Sequence, residues 1–124
     1  MGADPAQLVK AMTEAESFPG PSVVIAYTPC IAHGIKAGMA NIQDEAKRAV
    51  ESGYWPLYRY DPRKDIPFQL DSKPPTLSYQ DFIKGETRYA SLEISFPENA
   101  ETLFAKAEKD AEKRYAELER LARG

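Results

Sequence analysis

The chain has 124 residues, 43% hydrophobic and 28% charged, with a formal net charge of -3. That length bounds it at one ordinary domain or less, and the composition is that of a soluble globular protein rather than a disordered or membrane-spanning one. Acidic and basic residues are interspersed, so the basic footprint of a nucleic-acid binder is missing, while a single Cys and no basic-then-apolar leader after Met1 point to a reducing cytoplasm.

From Asp4, the stretch DPAQLVKAMTEAES opens with an N-cap and Pro5 at the first helical position, then sets Leu8, Met12 and Ala15 on one face with Val9 beside them. Phe18, Pro19, Gly20 and Pro21 end this helix, because proline cannot continue it and glycine permits the turn. Val23 to Tyr27 follow without polar alternation, the pattern of a strand buried on both faces inside a parallel sheet. A turn holding Cys30 and His33 comes next. Asn41 is placed to cap a helix to about Ser52, with Asp44 and Glu45 in its first turn and Ile42, Ala46, Ala49 and Val50 facing inward; Gly53 stops it. The run YWPLYRY, Tyr54 to Tyr60, reads as a short aromatic strand whose Pro56 argues for an edge position.

Helix, strand, turn, helix, strand is the rhythm of a doubly wound α/β domain. A parallel sheet of two strands cannot cover its own faces and edges, so the other strands are expected from sequence upstream of Met1 or from another chain, with the Asp4 helix as the crossover from one of them. From Asp61 the texture changes. Pro62, Pro67, Pro74 and Pro75 hold Asp61 to Thr76 in a loop or extended arm pinned by Phe68 and Leu70. Ser78 caps a short helical turn, SYQDFIKG, closed by Gly85. Ser95 and Glu98 form a capping box around Pro97 and open a helix to about Ala122. Its expected apolar stripe is Leu103, Ala107, Ala111, Tyr115, Leu118 and Ala122, flanked by i,i+4 pairs Lys106–Asp110, Asp110–Arg114, Lys113–Glu117 and Glu119–Arg123.

Cys30 is the residue with the most chemistry in it. A thiolate on a loop at a strand end serves as a nucleophile, a redox group or one metal ligand; the alternative is a packed structural thiol, since free Cys is among the most buried residue types. His33 is close enough in sequence to pair with it, but Cys–His catalysis needs a base oriented by a third group and a shaped oxyanion site, and the sequence marks neither. The YWPLYRY run is either a stacking platform for a nucleotide or, as alternating aromatics more often are, core or interface. Gly34 and Gly38 fit neither the dinucleotide nor the phosphate-loop spacing.

Five segments in order, GPSVVIAYTPCIAHGI (Gly20 to Ile35), GYWPLYRYDP (Gly53 to Pro62), PFQLDSKPP (Pro67 to Pro75), GETRYASL (Gly85 to Leu92) and FPENAETLFAKAEKDAEKRYAEL (Phe96 to Leu118), carry a specific likeness. With them the chain resembles the C-terminal part of the pyruvate:ferredoxin (flavodoxin) oxidoreductases, the fused 2-oxoacid oxidoreductase family. The resemblance implies that residues 1–60 are the C-terminal portion of an α/β domain binding thiamine diphosphate and Mg2+, and that residues 61–124 are an arm and helix packing on it. It implies conversion of pyruvate and coenzyme A to acetyl-CoA and carbon dioxide, with electrons passing singly through 4Fe-4S clusters to ferredoxin or flavodoxin, in an enzyme that is a homodimer when complete. By this likeness Cys30 is the fourth thiolate of the cluster nearest thiamine, the other three lying earlier in the full polypeptide, and four-thiolate ligation makes an isolated Cys sensible. His33 is then a loop residue or a neighbour of the cluster. The GDG-and-Asn motif that binds thiamine diphosphate and Mg2+ is absent, so the chain is expected to be inactive alone; its truncated sheet leaves an edge and an apolar helix stripe unsatisfied, so it is expected to be either poorly stable or ordered by oligomerisation. The competing expectation is a non-catalytic interaction module with a buried structural cysteine, and neither expectation includes a nucleic acid or a membrane as partner.

Overall fold

The structure, a computed structural model, describes residues 2–30 and 32–124. Met1, and Ile31 inside the cysteine turn, lie outside the described residues. The elements are α1 (Pro5–Ser17), a short 3-10 turn (Met39–Asn41), α2 (Ile42–Glu51), β1 (Tyr58–Tyr60), β2 (Phe68–Leu70), α3 (Tyr79–Gly85), α4 (Thr87–Ser95) and α5 (Pro97–Arg123). The fold is thus mainly helical with a small two-stranded sheet and a long C-terminal helix, compatible with the α/β class.

The core is built by the C-terminal helices around α2. Ala49, Phe82, Ile83, Ala100 and Phe104 form one buried cluster, with Tyr54, Trp55, Tyr79, Tyr89 and Leu92 packed against it. Phe82 and Ile83 are completely enclosed, each removing roughly 1.5–3 kcal/mol worth of apolar surface from water. Along α5 the buried positions are Ala100, Phe104, Ala111 and Tyr115. The expected stripe is therefore right at Ala111 and Tyr115 but wrong at Leu103, which is half exposed; the helix turns its larger ring, Phe104, edge-on to Tyr89, centroids 6.1 Å apart. None of the four expected i,i+4 pairs closes among the described residues, and the ion pair on α5 is Glu117 with Arg120.

Several local signals act as expected. Asp4 Oδ1 accepts the Gln7 amide at 3.0 Å and caps α1, and Ser78 Oγ does the same for Asp81 at 3.2 Å on α3. Gly53, at φ +77°, ends α2 in a conformation that a side chain would resist. Other signals need correction. Asn41 makes no cap bond to α2; its amide donates to the Ala37 carbonyl at 2.7 Å instead. No Ser95–Glu98 capping box forms, because Ser95 completes α4, an element not anticipated, and Phe96 breaks the chain so that α5 starts at Pro97, which has no N–H to satisfy.

The largest correction concerns the sheet. Tyr58–Tyr60 does not join a parallel sheet; it pairs antiparallel with Phe68–Leu70, in the register Tyr58 with Leu70 and Tyr60 with Phe68. Within the stretch read as a loop or arm, Asp61 to Thr76, three residues are therefore the return strand of a hairpin while the rest is loop, and Tyr58 stacks on Phe68 at 5.1 Å across it. Val23–Tyr27, read as a buried strand, belongs to no helix or strand, and from Val23 to Thr28 no backbone group bonds another backbone group among the described residues. Val23 is 84% and Ile25 75% exposed.

Candidate functional site

Cys30 sits at the end of that extended segment. Pro29 before it is buried while Cys30 is exposed in this chain. The turn is closed by two amides, His33 at 3.2 Å and Gly34 at 2.9 Å, both donating to the Cys30 carbonyl. Gly34 reverses the chain at φ +69°, a conformation that favours glycine, and a Cβ there would come within 3.2 Å of Thr87 Oγ1, so that the hydroxyl would have to give way slightly. His33 is exposed and meets Cys30 through its backbone N–H.

The turn is fastened to the α3–α4 junction. Ile35, buried, forms an antiparallel bridge with Glu86, the Lys36 amide donates to the Gly85 carbonyl at 2.8 Å, and the Thr87 amide reaches the Gly34 carbonyl at 3.4 Å. Beside it lie two carboxyl side chains, Glu45 of α2, expected only as a favourable first-turn charge, and Glu86, which the sequence did not single out; both are 3% exposed. Tyr27 Oη donates to Glu86 Oε1 at 3.4 Å, and burial, then the Glu86 charge, push the Tyr27 phenol up to about 12. Burial also holds Glu45 above the usual carboxylate range, with Arg48 opposing the rise and Glu86 adding to it. Glu45 Oε1 has no hydrogen-bond partner among the described residues, the mark of a carboxyl favoured in its neutral form. The signal was present in the helix period: Glu45 lies three residues after Ile42 and four before Ala49, on the face expected to turn inward.

A second polar assembly ties α1 to the hairpin. Arg59 is buried, and its guanidinium binds Asp71 with Nε at 2.8 Å and Nη2 at 2.9 Å while Nη1 donates to Glu14 at 2.6 Å. Gln7 also donates to Asp71, at 3.1 Å, and Lys64 pairs with Glu14. Burial alone would raise the Asp71 carboxyl, but the bonds from Arg59 and Gln7 outweigh it and hold it below its usual range. Asp61 is brought down to about 2 by its bonds from Arg63.

Among the described residues no three His, Cys, Asp or Glu side chains gather as a metal site, and no helix is long and apolar enough to cross a membrane. The donor set at the turn, among the described residues, is one exposed thiol, which fits a single corner of a four-thiolate cluster.

These features define a class: a small helical segment presenting one anchored thiol beside an extended run with unused pairing capacity. No family model matches the chain. Over 128 aligned residues covering all of it, the chain is 56% identical to pyruvate:ferredoxin oxidoreductase of Moorella thermoacetica, and spans 11% of that protein. It is 54% identical to pyruvate-flavodoxin oxidoreductase of Klebsiella pneumoniae over 98% of the chain and 11% of the relative. The mitochondrial pyruvate dehydrogenase [NADP(+)] of Euglena gracilis is 42% identical over 96% of the chain and 7% of the relative. The chain is therefore homologous to one segment of the pyruvate:ferredoxin (flavodoxin) oxidoreductases, which are enzymes, and spans about a tenth of the length of the curated relatives it matches.

Proposed function

We propose that this chain works as part of a thiamine-diphosphate-dependent pyruvate:ferredoxin or pyruvate:flavodoxin oxidoreductase, to which it gives Cys30 as one ligand of a 4Fe-4S cluster. The observation that carries this reading is the exposure of the only thiol, on a turn anchored at Gly34, Ile35 and Lys36. A metal-binding thiol must shed its proton and stay accessible, and a fixed loop lowers the cost of holding it in place. In the complete enzyme pyruvate and coenzyme A become acetyl-CoA and carbon dioxide, releasing two electrons and one proton, and the cluster would supply the one-electron steps.

In this reading residues 1–60 belong to the thiamine-diphosphate-binding α/β domain and residues 61–124 pack on it. The unpaired Val23–Thr28 backbone is the strand that inserts into the sheet supplied by the remaining polypeptide, and Cys30 follows at its end, where binding loops of parallel sheets lie. The isolated 124-residue chain is inactive, since one thiol cannot assemble a cluster. Ferredoxin or flavodoxin accepts the electrons from the full homodimer, in a reducing compartment such as the cytoplasm.

The test is Cys30→Ser in the complete polypeptide. Loss of about one cluster's worth of iron, or an altered cluster EPR spectrum, together with slowed electron transfer is expected. Unchanged iron, spectrum and turnover would overturn the assignment.

A further inference from the structure

On the side of the molecule lined by the aromatic run there is a groove of about 600 Å³, which the proposed cluster chemistry does not use. Tyr27, Tyr54, Trp55 and Tyr79 supply ring surface to it, and each is only half-buried. The rings pack on one another at a tilt: Tyr27 lies 5.5 Å from Trp55 at 31°, and Tyr54 lies 6.0 Å from Tyr79 at 34°. The volume is that of a small-molecule site.

Two guanidiniums stand at its rim, both fastened to Tyr54. Arg88 Nη2 donates to Tyr54 Oη at 2.5 Å and its guanidinium lies 5.0 Å above the Tyr89 ring. Arg114 Nη2 donates to the Tyr54 carbonyl at 3.1 Å and to that of Gly53 at 3.3 Å. Neither arginine has a carboxylate within salt-bridge distance among the described residues, and no acidic residue lines the groove. Glu108 and Asp110 act on Tyr79 from α5, and Glu86 acts on Arg88 and accepts from Tyr27, all without lining it. A guanidinium carries five N–H donors, and each of these spends one nitrogen on the protein, so planar forks remain turned to a ligand. In a chain of net charge -3, two arginines without carboxylate partners beside stacked rings are complementary to a flat, negatively charged molecule.

We infer that this groove binds a purine mononucleotide, its base stacked among Tyr54, Trp55 and Tyr79 and its phosphate held by Arg88 and Arg114. The hydroxyls of Tyr54 and Tyr89, 3.2 Å apart, keep the rings in place, and burial raises the Tyr54 phenol so that it stays a neutral partner for Arg88. Stacking gives affinity that any purine shares, and the arginines select the phosphate.

The groove contains its own reporter, since Trp55 is the only tryptophan of the chain. Titration of the 124-residue chain with AMP should change Trp55 fluorescence saturably, with adenosine and inorganic phosphate each binding about tenfold or more weakly. Arg88→Gln and Arg114→Gln, both on exposed side chains, should each weaken AMP about tenfold while leaving far-UV circular dichroism unchanged. Absence of a saturable change, adenosine binding as tightly as AMP, phosphate binding as tightly as AMP, or no effect of either substitution would each overturn the inference. Loss of AMP binding when the chain is part of a longer polypeptide would overturn it too, because a neighbouring segment would then occupy the groove. A failure here leaves the Cys30 assignment untouched, as its readout is iron.

Discussion

Residues 42–124 and residues 2–30 meet the same physical demands in opposite ways. In the first region α2, α3, α4 and α5 close a core around Phe82 and Ile83, and the hairpin pairs its own strands. In the second, α1 buries no residue fully, leaving Val9 65% and Met12 52% exposed, and the extended run after it offers unpaired backbone. What attaches α1 is a charged cluster, Glu14 and Gln7 against Arg59 and Asp71, rather than apolar packing. The first region completes most of its hydrogen bonds and burial internally; the second leaves apolar side chains and backbone groups open, with Tyr27 as its contact with the core.

Phe82→Ala should break the contrast outright, because a ring enclosed on all sides leaves a cavity that the surrounding helices cannot fill. A loss of about 3–5 kcal/mol is expected, seen in urea unfolding as the disappearance of a cooperative transition. Arg59→Ala should sharpen it. Asp71 and Glu14 lose their shared partner, at a cost of about 1.5–3 kcal/mol, and α1 should become sensitive to proteolysis while the Phe82 core keeps its circular dichroism. If α1 stays protected, its attachment is not ionic.

Glu45→Gln tests the acid pair by pH. A carboxyl raised in the folded state contributes most when protonated, so its stabilising share is present below the ordinary carboxylate value and fades as pH rises through the raised one. Asp71, lowered in the folded state, runs the other way: its contribution is in place above the ordinary value and is lost as pH falls through the lowered one. Glu45→Gln should therefore raise stability at pH 7 by about 1 kcal/mol and leave it unchanged near pH 4, as read by unfolding midpoints at the two pH values. The smallest effect belongs to Ile25→Thr, within about 0.5 kcal/mol in the 124-residue chain. In a longer polypeptide that covers Ile25, the same change should cost markedly more; equal effects in both settings would show that the run is not a buried strand.

Much of this molecule was legible before folding, and what was not follows a pattern. Caps at Asp4 and Ser78, the glycine stop at Gly53 and the prolines flanking the first helix depend on a few neighbouring residues, and each behaves as local geometry requires. Glu45 was legible as a first-turn charge but not as a buried carboxyl beside Glu86, since that pairing depends on the Ile35–Glu86 bridge and the Lys36–Gly85 and Thr87–Gly34 bonds that bring the start of α4 to the cysteine turn. Arg88 and Arg114 looked like ordinary surface charges until Tyr54 drew both to one groove. The hairpin was missed because its prolines argue against a strand, yet they fall outside the three paired residues of β2.

The sequence alone determined four of the five helices, that the thiol lies on a turn, and that Val23–Tyr27 is apolar throughout, because propensity, capping and periodicity act over a few residues. Only the tertiary structure decided that Tyr58–Tyr60 pairs with Phe68–Leu70, that Phe104 rather than Leu103 enters the core, and that two carboxyls meet behind Cys30. Those outcomes depend on which surfaces meet, and contact between residues far apart in the chain leaves no local pattern to read.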